Sequence, residues 1–165
     1  MNPFAENSPS QHETLRRIHE VRDRLGEDVL ILVHHYQRDE VIRFADITGD
    51  SLELSRAAAG QERPRYIVFC GVDFMAETAA MLCQPHQTVL IPEPSACCPM
   101  AAMVTADDAE EAWHHLSARW GGDLLPITYQ NSDARMKAFC GRHGGAVCTS
   151  ANAQKLFRWA LSEHQ

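Results

Sequence analysis

The sequence predicts an α/β protein built as three-layer α/β/α domains with short parallel sheets. Three observations carry that prediction. Strand-sized apolar runs alternate with helix-sized amphipathic ones along the chain, the order that gives parallel strands covered by helices. Two strands end in polar side chains: His34, His35 and Tyr36 after the first, and Tyr129, Gln130 and Asn131 after a later one. The order of elements in the first half also recurs in the second, so the fold reads as a pseudo-repeat with a shorter second unit.

The elements follow in order. Ser10 and Glu13 have the spacing of a capping box that opens a helix, with Leu15, Ile18, Val21 and Leu25 as its apolar stripe and Gly26 as its stop. Residues 28–34 are a buried strand. Short helices are expected near 39–46 and 51–59, the second capped by Asp50 or Ser51 with Glu53 close by. Residues 65–70 form another strand, and Gly71 to Asp73 turn into a helix from about Phe74 to Cys83. A strand over 88–91 runs into a proline-bounded loop, Pro92 to Pro99, that carries Cys97 and Cys98. In the second unit Thr105 caps a helix near 106–119, ended by Gly121 and Gly122. A strand at 124–129, a helix near 132–140, a strand at 146–149 and a helix from about Asn152 to Glu163 complete it. The expected division is residues 1–103 and 104–165. The second unit lacks a counterpart of the third strand, so it is expected to be truncated.

Composition narrows the function. With 165 residues, 45% of them apolar, the chain has material for a real core. A formal net charge of -7 argues against nucleic acid or an anionic membrane as the main partner, because both reward clustered Lys and Arg. No apolar stretch approaches a membrane span. The start of the chain lacks the basic residues and long apolar run of a signal peptide, which predicts a cytoplasmic address. In that reducing setting the six cysteines are thiols, metal ligands or reactive groups rather than disulfides, and none forms a C-x-x-C pair.

In open α/β sheets ligands bind at the carboxyl ends of strands. His34 and Tyr36 sit there, on one side by alternation, which leaves His35 the other side and a structural role. Ser51 either caps its helix or places a hydroxyl beside a helix N-terminus suited to a carboxylate or phosphate. Tyr129 and Asn131 share a side of their strand, and Ser150 repeats the Ser51 placement after Cys148 and Thr149. Cys70, Cys83 and Cys140 read as small buried hydrophobes. One of Cys97 and Cys98 is a metal-ligand candidate, since a turn between prolines exposes both thiols. Glu77, in mid-helix, reads as a salt-bridge or packing residue.

These blocks, taken together, resemble the amino-terminal half of the quinolinate synthase A family. The resemblance rests on residues 34–37, 49–54 and 71–78, the 92–100 cysteine loop, residues 129–131 and residues 147–153. It implies condensation of iminoaspartate with dihydroxyacetone phosphate to quinolinate, phosphate and water, in de novo NAD synthesis. It also implies three similar α/β domains and a [4Fe–4S] cluster held by one cysteine from each, with the fourth iron open as a Lewis acid. An oxidase that supplies iminoaspartate is the expected partner. Position by position, His34 and Ser51 match substrate contacts and Tyr36 a catalytic tyrosine, His34 serving catalysis as well. Tyr129, Asn131 and Ser150 match the second domain's substrate contacts, and Cys98 matches the cluster ligand, whereas Cys97 and Cys148 match none. The family's other two cluster cysteines, and its later His and Glu substrate residues, have no counterpart here. Gly141 to Gly145 are extra residues that lengthen a loop. Two other classes compete with this reading: a zinc or regulatory module using Cys97, Cys98 and His86, and a dicarboxylate-binding α/β module without catalysis.

Overall fold

The computed structural model describes residues 10–121 and 124–163. The expectation for Gly122 and the reading of the first residues lie outside that range. The first unit runs α1 (Gln11–Leu25), β1 (Val29–His34), α2 (Asp39–Ile42), β2 (Ile47–Gly49), α3 (Ser51–Gly60), β3 (Tyr66–Cys70), α4 (Asp73–Leu82) and β4 (Thr88–Leu90). The second runs α5 (Ala106–Trp120), β5 (Ile127–Tyr129), α6 (Ala134–Arg142), β6 (Ala146–Cys148) and α7 (Ala153–Glu163).

The strands make a four-stranded sheet in the order β2-β1-β3-β4 and a two-stranded sheet, β5-β6, with every pairing parallel. Alternation along β1 and β3 splits the first core in two. Leu30, Leu32, Ile67 and Phe69 pack with Leu54 and Ala58 of α3 and with Phe74, Met75 and Ala79 of α4. Ile31 and Val33 pack with Phe44 on the opposite face, under Leu15 of α1 and Val41 and Ile42 of α2. Helices on both faces make the expected three layers. Between α1 and that second face the packing leaves an apolar groove lined by Ile18, Val21, Val68 and Leu90.

Several local readings change. Ser10 does accept the Glu13 backbone N–H, at 3.2 Å, but the Glu13 carboxylate pairs with Arg16 instead of reaching back, so the capping box is half made. Gly26 ends α1 at φ 53°, a conformation that suits a residue without Cβ. The helix expected over 39–46 contracts to four residues, and the chain goes straight into β2, which the sequence reading missed. Asp46 makes this possible. Its backbone N–H and carboxylate bond the carbonyl and N–H of Ile31, and its other oxygen meets Arg22 of α1. The strand expected over 124–129 begins only at Ile127, after Pro126, which has no N–H to give a ladder. There Gly145 passes so close that a Cβ would lie 1.9 Å from the Pro126 carbonyl oxygen.

The two units meet along α4 and α6 through polar groups. Gln130 Nε2 donates to Thr78 Oγ1 at 3.2 Å, and Glu77 Oε2 accepts the Ala134 N–H at 2.9 Å, capping α6 from a neighbouring helix. Glu77 is thus a helix-capping tie between the units rather than a salt-bridge partner.

Candidate functional site

β1 ends at His34, whose register partner on β2 is Gly49, two residues before Ser51. Parallel pairing therefore brings the His34 and Ser51 segments to the same sheet end. His34 is only 6% exposed, at the tip of a strand buried on both faces. Its Nδ1 accepts the Tyr36 backbone N–H at 3.4 Å, which leaves the proton of a neutral ring on Nε2. Burial pushes the His34 pKa below its ordinary value, the neighbouring His35 pushes it further, and Asp50 opposes both. The ring is a neutral N–H donor at physiological pH.

His35 does not take the opposite side. The strand has ended, His35 starts a turn in which the Gln37 N–H bonds the His34 carbonyl, and alternation no longer applies. The ring of His34 lies 4.3 Å from that of His35 and 3.9 Å from that of Tyr36, centre to centre. His35 is exposed. Partial burial raises the Tyr36 phenol, a Cys98 thiolate would raise it further, and the Val72 backbone N–H opposes them. Tyr36 thus keeps its proton.

Asp50, not Ser51, is the helix cap. Its carboxylate accepts the N–H groups of Leu52 and Glu53 at 2.8 and 2.9 Å, and Glu53 returns a bond to the Asp50 N–H. Those N–H groups are spent, so this segment presents the Ser51 hydroxyl rather than an open helix end. Ser150 departs further from the expected repeat. α7 starts only at Ala153, after a turn closed by Thr149 and Asn152, and Ser150 lies exposed in that turn. Its hydroxyl pairs with the Tyr129 hydroxyl at 2.7 Å.

Asn131 joins the two units at the site, because its amide donates to Cys98 Sγ at 3.3 Å. Burial alone would push the Cys98 thiol up. The Asn131 amide and the backbone N–H groups of Ala101 and Met100 outweigh it and an unfavourable Asp73, so Cys98 is held below the ordinary thiol value. A thiol shifted toward its thiolate fits a metal or cluster ligand. Cys97 is exposed, Cys148 is buried, and Cys70 and Cys140 are raised by burial. Among the described residues no group of three His, Cys, Asp or Glu side chains could hold a metal. Cys98 therefore fits a [4Fe–4S] cluster as one ligand of a set, and these residues do not complete it. His86 precedes β4, at the end of the strand away from the cysteine loop, and bonds the Glu62 carbonyl at 3.0 Å, so the zinc grouping does not form here.

Lys137 was not found by sequence reasoning. It is 8% exposed, donates to the Ser132 carbonyl at 2.6 Å and lies 5.3 Å from the Phe74 ring centre. A lysine in a short amphipathic helix reads as solvated, and here it is packed against Phe74 of α4 and the Ser132 turn.

An imidazole and a phenol at one strand end, and an amide at another that bonds a thiol of lowered pKa, stand where α/β folds bind small ligands. The family described as Quinolinate synthetase A protein matches residues 16–165, and the chain belongs to that family. A quinolinate synthase of Halalkalibacterium halodurans is 51% identical over 153 residues, covering 93% of this chain and 42% of that protein. One of Bacillus cereus is 44% identical over 165 residues, covering 100% of this chain and 45% of that protein. The chain spans less than half the length of these curated relatives.

Proposed function

We propose that this chain provides the first part of a quinolinate synthase, which condenses iminoaspartate with dihydroxyacetone phosphate to quinolinate, phosphate and water. The observation that carries the reading is the Asn131–Cys98 contact. It joins Asn131 of one unit to Cys98 of the other, the two positions to which the family resemblance gives a substrate contact and a cluster ligand, within a chain that matches the family over residues 16–165. The division at residues 1–103 and 104–165 belongs to the same reading. So do the cytoplasmic setting and an iminoaspartate-supplying oxidase as partner, the latter resting on the family resemblance.

Each residue has a defined task. His34 directs Nε2–H at a substrate carboxylate or carbonyl oxygen, and a neutral ring does so without drawing a counter-ion into the site. Tyr36, protonated beside it, holds a proton on its phenol oxygen for an oxygen that gains charge or leaves as water. The Tyr129 and Ser150 hydroxyls share one hydrogen bond, which leaves one O–H hydrogen for a carboxylate oxygen. Asn131 spends one amide hydrogen on Cys98 and keeps its carbonyl oxygen and second N–H for substrate. Ser51 adds a hydroxyl from the opposite unit. Cys98 contributes one of the thiolates for a [4Fe–4S] cluster, which when bound supplies Lewis acidity to substrate oxygens.

A chimera tests this, with residues 16–165 replacing the matching stretch of the Bacillus cereus relative. It is expected to form quinolinate and release phosphate from dihydroxyacetone phosphate and iminoaspartate. A folded, iron-loaded chimera that binds a dicarboxylate without turnover would instead establish the non-catalytic binding module.

A further inference from the structure

We propose that Lys137 is a positioning residue for this site: its buried ammonium, bonded to the Ser132 carbonyl, fixes the turn that delivers Asn131 to Cys98. The proposal rests on the function argued above and adds a residue that touches neither substrate nor cluster.

The turn is bonded throughout. Ser132 donates its hydroxyl to the Tyr129 carbonyl at 2.8 Å and its backbone N–H to the Gln130 carbonyl at 2.8 Å. The Gln130 N–H bonds the Cys148 carbonyl at 2.7 Å, and its side chain reaches Thr78. The Ser132 carbonyl has the Lys137 ammonium as its partner, and Ser132 is itself buried. Tyr129, Asn131 and, through Tyr129, Ser150 all depend on that turn.

The surroundings explain why a cation is used. Asp73 and Glu77 of α4 and Asp133 at the start of α6 favour the charged form, while burial, the larger effect, pulls the Lys137 pKa down to about 8. The three carboxylates are committed to backbone. Asp73 accepts the Phe74 N–H, Glu77 the Ala134 N–H and Asp133 the Met136 N–H. Lys137 is the buried cation facing this acidic junction. A methionine would pack in the same space without desolvating a charge, so the ammonium is retained at a cost to stability. Its directed bond to Ser132 is what the cost obtains.

Hydrogen exchange on the 165-residue chain, and kinetics of the chimera, test the role. Lys137→Met is expected to speed amide exchange across 130–134 at least tenfold and to leave β1 and β3 unchanged. In the chimera it should lower kcat/KM at least tenfold per folded, iron-loaded molecule. Lys137→Arg, which keeps an N–H on the Ser132 carbonyl, should restore most of both. Phe139→Leu, a core change on the same helix, should lower Tm yet leave kcat/KM per folded molecule near wild type. Wild-type exchange in Lys137→Met, or a Phe139→Leu chimera that loses kcat/KM equally, overturns the proposal. If Lys137→Met does not fold, a folded Lys137→Arg that has lost turn protection overturns it, and one that keeps protection supports it. A wild-type chimera without turnover removes the functional reading, while the exchange result still decides what Lys137 holds.

Discussion

At the scale of single residues, His34 and Cys98 are distinguished by what surrounds them. His34→Ala in the chimera should abolish quinolinate formation and leave the cluster's visible absorption in place, because the imidazole is separate from the thiol loop. Near-normal turnover would remove His34 from the site. Its pKa also gives a pH dependence with a definite sign. The folded value lies below the ordinary 6.5, so as pH falls through 6.5 the unfolded chain takes up the proton first. Stability is lost from there down to the folded value, and His34→Asn should flatten that part of a Tm-versus-pH curve. Cys98 and its neighbour should part company. Cys98→Ser in the chimera should lose the iron–sulfur cluster, whereas Cys97→Ser should keep most of the iron, since Asn131 donates to Cys98. Equal iron loss in both would show the loop to be indifferent to which thiol it presents.

Among the elements, legibility followed length and local signal. The strands at β1 and β3, and the helices α1, α3, α4 and α5, were read from apolar periodicity and caps within a residue or two. β2 was missed because Ile47-Thr48-Gly49 carries no apolar run, unlike the equally short β4 and β6, and its pairing depends on Asp46 bonding β1. His35 was misplaced because alternation was carried one residue past the end of the strand. Ser51 and Ser150 looked alike in sequence, but their caps differ: an Asp50–Glu53 box in one case and a Thr149–Asn152 turn in the other. Lys137 and Asn131 show the same limit, since the contacts that matter join residues 33 or more apart, or depend on such packing. The extra Gly141–Gly145 segment is not merely a longer loop, for Gly145 is a tight pass over Pro126. Gly145→Ala should cost about 1–3 kcal/mol, as overpacking against backbone does. Gly60→Ala, where a Cβ meets nothing within 4 Å, should be neutral or gain up to about 1 kcal/mol. Urea unfolding of the two variants checks both values.

For the molecule as a whole, the donor count decides what the chain does by itself. Cys98, at the matching position, is a thiol whose pKa the fold lowers, and the described residues gather no three-ligand set. Expressed without oxygen and reconstituted with iron and sulfide, the 165-residue chain should bind well under four irons and release no quinolinate. A monomer with about four irons and turnover would mean that cysteines within this chain suffice. The α4–α6 junction, finally, has a mechanical meaning. Polar interfaces between units of one chain permit relative motion, and Asn131–Cys98 crosses between the units whereas His34–Tyr36 and Tyr129–Ser150 do not. A small swing of the second unit on α4 therefore parts the two rows of contacts without disordering either. If Gln130–Thr78 and Ala134–Glu77 serve as the hinge, the bond such a swing breaks is Asn131–Cys98, on the order of 1 kcal/mol, and in the proposed enzyme that is less than unfolding a loop.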